Sequence, residues 1–242
     1  MLDATNTARE IREQGPHIAV FGIGAIEQHS IHLPVGTDWL CARDLTERVA
    51  RELDAFLVPA LPFSMSQCHG PTAGTVWLKP ETLAAVVRDT VSSLHAQGFR
   101  QVLIIDCHGG NFVLQAEIRR LNLSHPDLIV LVSPLWMSLP ADAQIWETPP
   151  GVHAEEKETS YQLYINPEHV KDARIDYQPS VGREFLDYAF MGSISKWGVW
   201  GFPSCGTTEK GEVAIKQLVP RLAEWARATF ASVEALRAQG GA

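Results

Sequence analysis

Glu27, His29 and Asp38 fall within one short stretch, GAIEQHSIHLPVGTD at 24–38, together with a second histidine, His32. Carboxylates and imidazoles are the side chains that bind divalent cations and move protons near neutral pH. In an extended segment Glu27 and His29 leave the backbone on the same face, because side chains alternate. They can therefore reach one cation or two neighbouring ones. Asp38 comes where a helix should begin. Its two oxygens could bridge a pair of cations, and it is equally suited to capping that helix. His32 could touch a substrate or, as readily, support the loop by hydrogen bonding.

Two more polar groups follow. In DCHGGN (106–111), His108 comes directly after the apolar run VLII, and two glycines separate it from a helix start. Gly109 and Gly110 let the backbone approach a ligand closely, and the next helix offers free N–H groups. In HAEEKETS (153–160), His153 and Glu158 converge if a helix begins between them. Glu155 and Glu156 read as solvated carboxylates of its first turn, favoured there by the helix dipole. Thr159 and Ser160 are placed to orient Glu158. Mixed nitrogen and oxygen ligation of this kind suits zinc, manganese or iron better than a thiolate or calcium site.

These groups need a scaffold. HIAVFGI (17–23), AFLVPAL (55–61), QVLIID (101–106) and DLIVLVS (127–133) read as strands buried on both faces. Helices alternate with them: one from Asp38, one across KPETLAAVVRDTVSSLHAQG with Gly98 at its C-cap, one after Asn111 and one containing Glu158. A last helix runs from about Glu209 to Ala238, which Pro220 should kink or divide. Alternating strands and helices predict an α/β, three-layer αβα sandwich around a mostly parallel sheet. In such sheets ligands bind beyond the carboxyl ends of the strands, which is where each polar group falls. The least regular segment, about Lys171 to Cys205, reads as a lid or a subunit contact.

The chain has 242 residues, 45% apolar and 20% charged, and is read as one domain over 1–242. A net charge of −8 with no basic cluster excludes nucleic acid and anionic membranes as expected partners. No apolar run approaches a membrane span, and the start resembles no secretory signal. Four cysteines without CxxC spacing fit reduced thiols, so a cytoplasmic location is expected.

At EQHSIHLPVGTD (27–38), CHGGN (107–111), HAEEKETS (153–160) and TTEKGE (207–212) the sequence resembles the creatininase family of metal hydrolases. The resemblance implies a creatininase-like αβα fold, commonly a homohexamer, with two divalent metal ions per subunit: zinc, with manganese or iron as the other candidates. It implies that Glu27, Asp38 and His108 hold one ion and His29, Asp38 and Glu158 the other. His153 would then assist at the leaving group, and Trp136 would close over a small-molecule substrate. His32, Gly109 and Gly110 would line the substrate. The implied activity is amide C–N cleavage in a small, cyclic molecule by water that the ions activate. The creatinine hydrolases carry Tyr and Glu at the positions of Gly109 and Gly110. They also have a second tryptophan before the histidine matching His153, where this chain has prolines and an out-of-register Trp146. These departures point away from creatinine itself. Two other readings remain open: C–C hydrolysis of a cyclic 1,3-diketone of the keto-inosose kind, and a non-catalytic ligand-binding relative. Lys210 would fix a loop or a subunit contact.

Overall fold

The computed structural model describes residues 1–134 and 142–240, so Trp136 lies outside the described residues. Five strands form one parallel sheet: β1 (Leu2–Asp3), β2 (Ile18–Ile23), β3 (Phe56–Leu61), β4 (Gln101–Asp106) and β5 (Ile129–Val132). Their spatial order is β1-β3-β2-β4-β5. Between and after them run α1 (Ala8–Gln14), α2 (Thr37–Leu53), α3 (Pro80–Ala96), α4 (Val113–Ser124), α5 (Asp142–Ile145), α6 (Glu156–Ile165), α7 (Met191–Ile194) and α8 (Thr208–Gly240). This is the α/β layering the sequence predicts.

Alternation along the strands divides the core in two. Val20, Leu103 and Ile105 turn toward α2 and α8, whereas Ala19, Phe21, Ile23, Val102 and Ile104 turn toward α3 and α4. Buried residues of α8 recur at helical spacing, from Ala214 and Leu218 through Leu222 and Ala226 to Phe230. Pro220 falls on the exposed side of α8 and does not divide it, contrary to one sequence expectation. The helix stays continuous because its apolar stripe holds both halves against the sheet.

β3 departs from the expectation of a strand buried on both faces. All six of its residues keep some exposure, because its outer neighbour β1 pairs only through Leu2 and Asp3. Pro59, which has no N–H to give a ladder, sits in the unpaired part of that edge.

After β2 the chain turns to one side to make β3, then crosses back to make β4 on the other side. β2 and β4 are neighbours, with Ile23 paired to Asp106 at their carboxyl ends. The switch point of the sheet is therefore where the loops carrying Glu27 and His108 emerge side by side.

Candidate metal centre

Three strand ends and two helices contribute to a single buried group. Glu27 and His29 come from the loop after β2, His69 from the short turn Gln67–His69 after β3, and His108 from the loop after β4. Asp38 lies in the first turn of α2 and Glu158 in that of α6, with His153 just before α6. All seven are 6% exposed or less. Asp38 is not the cap of α2, a role taken by Gly36, so its carboxylate is free to face this group. Gln162 ties α6 to α2 by donating to the Thr37 carbonyl (3.1 Å) and the Cys41 sulfur (3.2 Å), which brings Glu158 to Asp38.

Three imidazoles obey one rule. His29 Nδ1 donates to the Glu27 carbonyl (3.1 Å), His108 Nε2 to the Met65 carbonyl (2.9 Å) and His153 Nε2 to the Gln28 carbonyl (2.6 Å). A carbonyl can only accept, so in each ring the other nitrogen is left bare. Those bare atoms turn toward carboxylates. His29 Nε2 lies 3.3 Å from Asp38 Oδ1 and 3.7 Å from Glu158 Oε2. His108 Nδ1 lies 3.0 Å from Asp38 Oδ2, and His153 Nδ1 lies 3.5 Å from Glu27 Oε1. Anchoring one ring nitrogen to a carbonyl while the other faces inward is how metal-binding histidines are held.

Acceptor facing acceptor is unfavourable unless something positive lies between. Glu27 Oε2, His29 Nε2 and Asp38 Oδ2 have no hydrogen-bond partner and are fully buried. Burial, with Asp38 adding its charge, pushes Glu27 up to about 7 against the pull of His108. Burial also lifts Glu158, to about 8. Burial would lower His29 and His108, but the surrounding carboxylates outweigh it and raise both to about 10. For Asp38 the two histidines prevail over burial and hold it well below the usual range. The protons thus move into the cluster where no other cation serves it. Ligand atoms of Glu27, His29 and Asp38 come within 4.8 Å of one another, as do those of His29, His153 and Glu158. The donor set fits divalent cations.

Local backbone is held in unusual conformations here. Ser30 and Ala154 have φ of 61° and 50°, left-handed values rare outside glycine, directly after His29 and His153. The Ala154 turn aims its N–H at Glu158 Oε2 (2.5 Å). A bridge between His153 and Trp200 fixes the histidine further, so part of the irregular 171–205 segment buttresses the centre. Gly110 is required by close approach: a Cβ there would meet His108 Nε2 at 2.4 Å and the Met65 carbonyl at 2.5 Å. The Gly109 carbonyl accepts from Arg183 (2.8 Å).

Several expectations need correction. Glu155 and Glu156 are not solvated: they are 6% and 1% exposed. Glu155 caps α6, accepting from the Glu158 N–H, while Glu156 accepts from Glu147 N, Thr148 N and Thr148 Oγ1. Lys210 completes that arrangement, 2.6 Å from both Glu156 and Glu147, so it fixes the loop before His153. His32 is fully buried and pairs with Thr159 Oγ1 (3.0 Å), which makes it a strut between the loop and α6. His69 was not singled out by sequence. It lies eight residues past the end of β3, and the rule about carboxyl ends was the available signal.

The creatininase family model, described as creatinine amidohydrolase, matches residues 4–226. The chain belongs to the creatininase family. Among curated relatives it is 26% identical to a mycofactocin precursor peptide peptidase of Mycobacterium ulcerans, over 91% of this chain and 90% of that one. It is 27% identical to the creatinine amidohydrolase of Pseudomonas putida, over 89% and 91%. A crystal structure from Bacteroides fragilis, provisionally assigned as a creatinine amidohydrolase, superposes with a TM-score of 0.79 at 27% identity, covering 93% and 94%. A mutant creatininase of Zn-Zn type shares the fold at a TM-score of 0.81 and 23% identity, covering 94% and 98%. All four cysteines are free, and among the described residues no helix is long and apolar enough to cross a membrane.

Proposed function

We propose that this creatininase-family member is a metal-dependent hydrolase that holds two divalent cations and cleaves an amide C–N bond in a small, cyclic substrate other than creatinine. The observation that carries the reading is Asp38. Each of its oxygens faces a bare imidazole nitrogen, His29 Nε2 at 3.3 Å and His108 Nδ1 at 3.0 Å. Glu27, Asp38 and His108 would hold one cation, and His29, Asp38 and Glu158 the other. Zinc suits this nitrogen and oxygen set, as does manganese, and a related creatininase is of Zn-Zn type. When bound, such ions polarise a carbonyl and acidify water.

The remaining chemistry belongs to the chain. His153 Nε2 is committed to the Gln28 carbonyl, so Nδ1 is the atom able to take a proton. Burial, with His29 and His69 adding to it, holds this ring well below its ordinary pKa, so it starts neutral. It therefore accepts the proton of the attacking water and returns it to the departing nitrogen. A cavity of about 380 Å³ opens beside His108, lined by Asp106, Gly109, Asn111, Phe112, Gln115 and Ser133. That volume suits a small molecule. Two matched relatives, a peptidase and an amidohydrolase, are named for amide cleavage.

The test is to measure metal content, strip it, and assay the stripped and reconstituted protein on lactams, formamides and cyclic 1,3-diketones. Activity on an amide class, lost with the metal and restored by zinc or manganese, is expected. Turnover of diketones alone would replace C–N by C–C cleavage, and a metal-free, inert protein would defeat the hydrolase reading.

A further inference from the structure

One histidine breaks the rule that governs the other three. His69 Nδ1 faces no carbonyl; it lies 2.9 Å from the side-chain amide nitrogen of Gln28. The same amide nitrogen also lies 3.1 Å from His153 Nε2, but that ring N–H is spent on the Gln28 backbone carbonyl at 2.6 Å, so the amide's orientation is set by its oxygen. Gln28 Oε1 accepts from the Ser30 N–H (3.0 Å), while the backbone N–H of Gln28, donating to Thr75 Oγ1 (3.1 Å), fixes the main chain that carries it. Gly198, at φ 62°, backs the same oxygen so closely that a Cβ there would sit 1.9 Å from it. With Oε1 committed as the acceptor, Nε2 is the donor, and His69 Nδ1 must accept.

The neutral His69 ring therefore carries its proton on Nε2, the atom 3.5 Å from Glu27 Oε1. His153 presents the opposite character to the same oxygen, a bare Nδ1 at 3.5 Å. Glu27, His69 and His153 bring their ligand atoms within 4.8 Å of one another, so by spacing alone they form a third cation site. The hydrogen-bond pattern argues otherwise. An N–H aimed into the site cannot ligate.

We infer that Gln28 is a positioning residue that fixes His69 as a hydrogen-bond donor to Glu27. The trio then steadies one oxygen of that carboxylate and excludes a third cation. The role given to Glu27 rests on the proposed function; the tautomer of His69 does not. Steadying Glu27 Oε1 leaves Oε2, which is buried without a hydrogen-bond partner, as the oxygen free for the metal side.

Two variants and one spectrum test this. In wild-type protein, nitrogen-15 NMR of the histidine rings should show His69 protonated on Nε2 and bare on Nδ1, with or without zinc. Gln28→Glu keeps the side-chain shape but replaces the donor by an acceptor. It should move the His69 proton to Nδ1, admit one extra equivalent of zinc per subunit, and lower kcat roughly 10–100-fold with KM nearly unchanged. His69→Gln should retain the wild-type metal content while lowering kcat. A His69 protonated on Nδ1 in the wild type would overturn the inference. So would loss of a metal equivalent in His69→Gln, or wild-type kcat and zinc content in Gln28→Glu. Were the wild type to bind no divalent cation, the proposed function would fail, yet the spectrum of the cation-free protein would still decide the tautomer.

Discussion

Glu117 and Glu156 are as deeply buried as the carboxylates of the metal centre, yet their surroundings differ. Glu117 lies between Arg88 and Arg120, at 3.0 and 2.6 Å, and Glu156 meets Lys210 at 2.6 Å. Each has a cation supplied by the chain itself. Among the described residues, Glu27, Asp38 and Glu158 pair with no lysine or arginine, only with imidazoles that mostly turn bare nitrogens toward them. Burying a carboxylate without a partner costs several kcal/mol, so such a group persists only where something else supplies the positive charge. The structural carboxylates are complete as folded. Those of the centre are complete only with protons or metal.

Asp38 is where the contrast breaks most severely. Asp38→Ala removes the oxygens shared between His29 and His108, and turnover should fall on the order of 10⁴-fold, equivalent to about 5.5 kcal/mol. Circular dichroism should show the fold retained, since the substitution also removes an ill-matched buried charge. His153→Ala comes next. It should keep both metals by elemental analysis and slow turnover roughly 10²–10⁴-fold, the usual size of a proton-transfer contribution. Unchanged turnover would remove His153 from the chemistry. Lys210→Met tests the other side of the comparison. It strands Glu156 and should cost about 2–3 kcal/mol in denaturant unfolding while leaving metal content alone; a variant of wild-type stability would mean that Thr148 and the two backbone donors suffice.

The smallest effect is in pH. Glu27 and Glu158 have folded pKa values raised to about 7 and 8, and His29 and His108 to about 10. Through these four groups the folded metal-free protein holds more protons than the unfolded chain between about pH 5 and 8, against the opposite contribution of buried His32, His69 and His153. The stability contribution of the four is fully present below the unfolded values and is lost as pH rises through the folded ones. Metal competes with those same protons. The gap in Tm between metal-loaded and metal-free protein should thus widen from pH 5.5 to 8, by a few degrees per kcal/mol gained. A gap that narrows with pH would contradict the assignment of these groups.

What the sequence revealed follows from where information is local. β2 and β4 are continuous β-branched and apolar runs; Glu27, His29 and His108 follow them within a few residues, and Asp38 stands at the start of the helix that closes the first loop. The converging group was therefore legible before any coordinates. Glu156 was misread because a carboxylate in a first turn looks solvated; its burial depends on Lys210, more than fifty residues away. His69 was missed because no carboxylate accompanies it in the chain, and its partners Glu27 and Gln28 arrive from another strand. The exposure of β3 reflects the shortness of β1, which strand propensity does not encode. Polar residues whose role is set by tertiary partners are the ones that local patterns leave undetermined.

The central claim is that Asp38 joins two cations. Anomalous diffraction from crystals grown with zinc tests it most directly. Two peaks should flank the Asp38 carboxylate about 3.5–4 Å apart, one also touching Glu27 and His108, the other His29 and Glu158. A single peak, or a pair that leaves Asp38 untouched, would contradict it.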